Sequence, residues 1–270
     1  MNLKTLNATF IRNFIVQLRA YPKDFFIGNL LTGIYTSLSA FFMYKLLFRG
    51  SMQASFKQYA GTGDYISYVI VGTAVYLYVV RTCLNVSRSL ITELRTGTLE
   101  SIMIAPFNRM QYFVGSMLQQ VITTSGEIVI AILVSIPFGL RFPNFNAMSF
   151  IVVFIISLFS FFSLSMVLAC IMLYFRDTYI SQNTLFLALF LLCGITYPIE
   201  YLPRLVRIIS VFIPITGAVN LIRGSSLLGL GIRQQMGTII YVFILSTVYC
   251  ILGFKLMKKI EHIALEKIQG

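Results

Sequence analysis

Six long apolar stretches, separated by short polar segments, set the pattern of this chain: Phe25 to Phe48, Tyr65 to Val86, Tyr112 to Phe138, Met148 to Tyr174, Tyr179 to Thr196, and Gly237 to Phe254. A helix rising about 1.5 Å per residue needs about 20 residues to cross a hydrocarbon core, so each stretch predicts one transmembrane helix. None shows the short in-out alternation of an outer-membrane barrel strand. Ahead of them, Leu3, Leu6, Phe10, Phe14 and Leu18 recur at three- and four-residue intervals with Thr5, Arg12 and Arg19 opposite, which predicts an amphipathic helix in the membrane interface. Tyr21-Pro22-Lys23-Asp24 ends it and lets the chain turn into the bilayer. Such a helix suits a plain anchor or a mechanical collar.

Between the fifth and sixth spans, Pro198 to Met236 is too long for a tight turn and too apolar for an ordinary exposed loop. Pro203 to Ile209 reads as one short helix, with Arg204 and Arg207 on one side, and Thr216 to Leu228 as another. Irregular backbone at membrane depth survives only where protein or water satisfies it, so the pair is expected to dip into the bilayer as a re-entrant hairpin. Its arginines suit lipid phosphates, an anionic substrate, or simple snorkelling. The predicted fold is an all-α integral membrane protein forming a single transmembrane domain over 1–270. It comprises an interfacial helix (1–24), spans one to five (25–196), an extracellular re-entrant region (197–236), span six (237–254) and a tail (255–270).

Composition agrees. Hydrophobic residues make up 57% of the chain and charged residues 11%, with a mean hydropathy of +0.84, which excludes a soluble globular domain. With both termini cytosolic, thirteen of the 21 Lys and Arg residues fall inside, among them Lys4, Arg12, Arg81, Arg95 and Lys255. The predicted location is the cytoplasmic membrane, with N- and C-termini cytosolic. The net charge of +12 then reads as attraction to anionic headgroups, and no nucleic-acid partner is implied. Lys4, Arg12 and Arg19 interrupt any signal-peptide core. Cys83, Cys170, Cys193 and Cys250 lie in or beside apolar spans without C-x-x-C spacing, as buried small hydrophobes do, and no metal site is expected.

Polar residues inside the spans are the first candidates for chemistry. Ser116, Gln120, Thr124 and Glu127 share one face of the third span. A carboxylate at that depth must be paired, hydrated or protonated, and marks either a substrate path or a seam between helices. Tyr65, Tyr68, Gly72 and Tyr76 form a stripe on span two that fits dimer packing or an amphipathic path equally well. An ion-coupled carrier would want paired carboxylates, and Glu127 is the one acid clearly at depth. A hydrolytic intramembrane enzyme would want a histidine, and the sole histidine, His262, is in the tail. No catalytic residue is expected.

The polar segment between spans two and three, Glu93-Leu94-Arg95-Thr96-Gly97-Thr98-Leu99-Glu100 followed by Pro106, is compact and charged. Thr98 is an N-cap candidate, Glu100 sits where a helix dipole favours negative charge, Gly97 allows a bend, and Pro106 is a stop. About two turns of cytosolic helix, near 98–105, would fit a socket on a soluble protein. An ordinary loop is the plainer alternative.

This run resembles the E-x-x-x-G-T-L-E…P signature of permeases in the type-2 ABC transporter family. Phe175-Arg176-Asp177 resembles the family's cytosolic turn between spans four and five. Gly194 to Ile199, including Thr196 and Pro198, then Leu202-Pro203, Ile213-Pro214-Ile215-Thr216 and Arg223, resemble its fifth span and re-entrant region. The resemblance implies a membrane subunit that pairs with a second permease, identical or homologous, and with two copies of a cytosolic ABC ATPase. ATP and magnesium would be bound there, and no cofactor by this chain, in which no G-x-x-x-x-G-K-[ST] loop occurs. It also implies coupling through the 98–105 helix and a path lined by spans two and five, with Tyr68, Tyr76, Gln120, Thr124, Glu127 and Thr196 as candidates. The pattern from Leu202 to Arg223 resembles the drug and natural-product exporter branch more than lipid-linked polysaccharide or teichoic-acid-type exporters. An amphipathic or lipid-like substrate is therefore expected.

Overall fold

The computed structural model describes residues 3–20, 22–51, 54–95, 109–175 and 184–269. Among them the elements are helical: α1 Leu3–Ala20, α2 Pro22–Phe42, α3 Ala54–Ala60, α4 Tyr65–Arg95, α5 Arg109–Ser135, α6 Ala147–Phe175, α7 Phe186–Leu192, α8 Arg204–Phe212, α9 Pro214–Ser226 and α10 Ile232–Gln269. Among the described residues four helices are long and apolar enough to cross a membrane, through Tyr65–Cys83, Met110–Phe138, Ala147–Met172 and Ile232–Met257. The bent pair α8–α9 would make a fifth if counted as one span.

The centre of the bundle is α6, packed against α4, α9 and α10. No charge interrupts it from Ala147 to Met172, and two of its serines bond to nearby carbonyls: Ser157 to Val153 at 2.8 Å and Ser165 to Phe161 at 2.6 Å. Satisfying those hydroxyls locally lets the small side chains serve close packing in a medium that offers them no water. At Gly253 of α10 a Cβ would lie 2.8 Å from the Met166 Cβ, so glycine sets the closest approach of the two helices.

α1 packs across α5, as a collar would. The crossing point is Gly115, where a Cβ would meet the Leu6 carbonyl oxygen at 2.9 Å. Asn13 Nδ2 donates to Ser116 Oγ at 3.1 Å, and Thr9 is buried. The docked face therefore includes polar Thr9 and Asn13, rotated from the apolar stripe that periodicity picked out, while Phe10 and Phe14 stack on each other at 6.0 Å. α2 joins α5 through a Ser37–Ser135 hydroxyl pair at 2.7 Å.

Several boundaries differ from the hydropathy pattern. α2 passes into a π-helical turn, Met43–Leu47, before Arg49 and Gly50 take positive φ and end it. α4 runs past Val86 to Arg95, because hydropathy marks the lipid-facing part of a helix and polar residues beyond it need not break it. α10 likewise starts at Ile232 and continues beyond Phe254. The stretch expected as span five is described only from residue 184: α7 is seven residues long and stops at Leu192, short of Thr196. Gly194, at φ +67, turns the chain there. After Pro203, α8 and α9 meet at 85° around extended Ile213, with Pro214 opening α9.

Candidate functional site

The third-span polar face is assembled inside the subunit. Ser116, Gln120, Thr124 and Glu127 are all buried, and Gln120 Nε2 donates to Thr124 Oγ1 at 3.3 Å. Glu127 Oε2 lies 3.3 Å from Arg81 Nε on the neighbouring α4. Burial is lopsided: the Glu127 side chain is 4% exposed and that of Arg81 41%. A carboxylate at this depth is tolerable because a cation faces it, and the cation keeps one open side. Arg81 entered the sequence reading only as a positive charge near the inner end of a span. Opposite charges in consecutive antiparallel spans were the signal for the pair.

The tyrosine stripe on α4 is taken up differently along its length. Tyr65 packs on Phe48 and Phe56, and Tyr68 is 4% exposed beneath Arg223, so these two are buried within the subunit. Tyr76 is half-buried. Its hydroxyl donates to the Phe186 carbonyl at 3.1 Å and its ring meets Phe190 edge-on at 5.1 Å, joining α4 to α7.

Arg223 of α9 is a well-connected buried cation. Its guanidinium lies over the Tyr68 ring, 3.5 Å from the centroid, and donates to the carbonyls of Gly194 at 2.7 Å, Tyr68 at 3.2 Å and Ile195. It thus satisfies backbone oxygens in the turn just after α7, which lie beyond the reach of that helix's own amides. Gly72 makes room for it: a Cβ there would sit 2.0 Å from Arg223 Nη2 and 2.1 Å from the Ile195 oxygen. Thr196 follows directly in this clamped turn.

Arg204 and Arg207 behave otherwise, being exposed on α8. Beside them Leu205, Ile208, Ile209 and Phe212 form an exposed apolar face, 77%, 51%, 57% and 61% accessible. A face of that kind next to cations suits the interfacial zone of a membrane. The hairpin is tied down from behind: Ser210 donates to the Leu192 carbonyl, Tyr241 to Val211 at 2.7 Å and Tyr249 to Phe212 at 3.2 Å. Pro198 and Pro214 are buried, Pro203 exposed.

Of the coupling candidates, Glu93 and Arg95 fall in the last turns of α4. Gly97, Thr98, Leu99, Glu100 and Pro106, and with them the 98–105 helix, lie outside the described residues, as do Arg176 and Asp177. What the structure adds is the element leading there: from Cys83, where the apolar window closes, α4 continues unbroken to Arg95, about 18 Å at about 1.5 Å per residue.

The family model for the ABC-2 type transporter matches residues 9–227. No curated protein matches the chain.

Proposed function

This chain belongs to the ABC-2 type transporter family, whose membrane proteins work with an ATPase partner, and on that footing we propose that it is the permease subunit of an ATP-driven exporter of amphipathic or lipid-like molecules. The observation that carries the reading is α4, a single helix of 31 residues that ends within a few residues of the 98–105 segment. Because it is packed against α5 and α6, a push at its C-terminal end moves the bundle as a lever. Two ATPase copies, closing on ATP and magnesium, supply the push through the 98–105 helix.

A second permease, identical or homologous, packs across the partly exposed faces of α4 and α7. Leu187 and Leu191 of α7 are 59% and 45% exposed, and Tyr76 and Phe190 bridge them to Thr73 and Leu77 of α4. The substrate path runs between the two subunits, with Arg81 on its inner part. All six sequence spans cross the membrane in this reading, and the α8–α9 hairpin is re-entrant from outside, in one transmembrane domain with cytosolic termini. Co-purification of the tagged chain with an ATPase, and ATP-driven uptake of a fluorescent amphiphile into inverted vesicles, test it. Failure of both would end the exporter reading.

Orientation has its own expected result. After Cys250→Ala removes the one native thiol that is not buried, cysteines at exposed Gln58 and Arg204 should react with an impermeant thiol reagent on intact cells, whereas one at Gln269 should not. Labelling of Gln269→Cys from outside would invert the topology.

Glu127 is tested through its pairing. Glu127→Gln keeps the hydrogen bond to Arg81 but removes the charge, so substrate-stimulated ATP hydrolysis changes while melting stays within about 1 kcal/mol of wild type. Glu127→Leu leaves Arg81 unpaired and lowers the melting temperature. Unchanged turnover in Glu127→Gln, with lowered melting in Glu127→Leu, would make the pair purely structural.

A further inference from the structure

A cavity of about 520 Å³, partly open and unrelated to the face assigned to the second permease, lies between α4, α5, α6 and α9. Its size falls within the range of about 300–1,000 Å³ usual for small-ligand sites. Along α4 it extends from Ile70 to Tyr78, about 12 Å of helix. Its deep end is hydrocarbon and aromatic rings: Val75, Ile128, Phe154 and Tyr78, whose hydroxyl is already engaged with Ser125 Oγ at 2.8 Å.

At the shallow end Ser226 lines the wall without presenting its hydroxyl to the cavity, so the wall stays apolar. The mouth is formed by the 139–146 loop, whose Phe142 and Phe145 line the cavity and whose Arg141 is exposed.

That loop is held at both ends, so the mouth is preformed. Ser67 Oγ accepts from the Arg141 amide at 2.9 Å and donates to Asp64 Oδ2 at 2.5 Å. At the other end the Asn146 amide donates to the Ser225 carbonyl at 3.1 Å. Gly229, at φ +68, lies so close to the loop that a Cβ would sit 2.6 Å from the Asn144 oxygen.

An exposed cation on the mouth loop beside an apolar cavity matches an anionic phospholipid, phosphate outside and acyl chain within. We propose that this cavity holds one acyl chain of an anionic membrane lipid, with Arg141 attracting its phosphate. The bound chain fills the gap between α4 and α6 and stiffens the membrane half in which α4 begins. The assignment needs only that the chain sits in a membrane, so it stands or falls separately from the exporter reading.

The test uses the full chain in nanodiscs with phosphatidylglycerol bearing a diazirine at the end of one acyl chain, with adducts mapped by mass spectrometry. Adducts should concentrate on Val75, Tyr78 and Ile128, and should be lost in Ala74→Phe, which fills the cavity. Arg141→Gln should reduce labelling by the phosphatidylglycerol probe and leave that by a phosphatidylcholine probe unchanged. Adducts spread over exposed Leu118, Ile122 and Val129 of α5 and indifferent to both substitutions would overturn the site. A label that disappears during ATP turnover by the assembled complex would assign the cavity to transported cargo and overturn the resident lipid.

Discussion

Arg223→Ala is expected to destabilise the protein by about 3 kcal/mol or more, read as a fall in melting temperature in detergent or nanodiscs. The side chain is 4% exposed and serves the Gly194 and Ile195 carbonyls together with the Tyr68 ring. Truncation leaves those oxygens without donors at about 1–3 kcal/mol each, and forfeits a desolvated cation–π contact of about 2 kcal/mol. Arg223→Lys restores a charge but not the planar fork that reaches several acceptors at once, so it recovers only part of the loss. Gly72→Ala should mimic the defect by obstructing the slot from the other side. Arg204→Ala and Arg207→Ala, both on the exposed surface of α8, should stay within about 0.5 kcal/mol of wild type. Melting of Arg223→Ala indistinguishable from wild type would show that these bonds do not hold the turn after α7.

The largest functional effect is expected from Gly97→Pro combined with Glu100→Lys. Proline removes the amide and fixes φ where the proposed coupling segment calls for a bend, and lysine would place positive charge in the first turn of the helix proposed at 98–105, where a dipole disfavours it. No apolar span is altered, so the protein should reach the membrane at its usual level. Transport should be abolished, and the ATPase should no longer co-purify. An intermediate result is informative as well: capture retained with transport lost would place the defect in transmission along α4 after docking. Normal capture together with normal transport would remove this segment from the coupling route.

How far the sequence could be read depended on the range of the interactions involved. Tyr65 to Val86, Tyr112 to Phe138, Met148 to Tyr174 and Gly237 to Phe254 each correspond to a long helix, since burial in lipid rewards about 20 consecutive apolar residues whatever lies around them. The amphipathic start of the chain and the two-helix character of the 203–228 region were visible for the same local reason. At Tyr68 periodicity could not foresee burial beneath Arg223, because three- and four-residue spacing identifies a common helix face and is silent about what covers it. It also stopped short at Val86, where hydropathy ends and the helix does not.

The sequence alone determined a helical membrane protein, four of its long apolar helices and its likeness to one family, because transfer to lipid and helix periodicity are sums over neighbouring residues. Only the tertiary structure decided which polar groups neutralise one another. Arg223 finds Tyr68 across a separation of 155 residues, Glu127 finds Arg81 on the next helix, and Gly72 and Gly115 become indispensable through what presses against them. Each is a pairwise contact fixed by helix packing, and no local sum along the chain contains it.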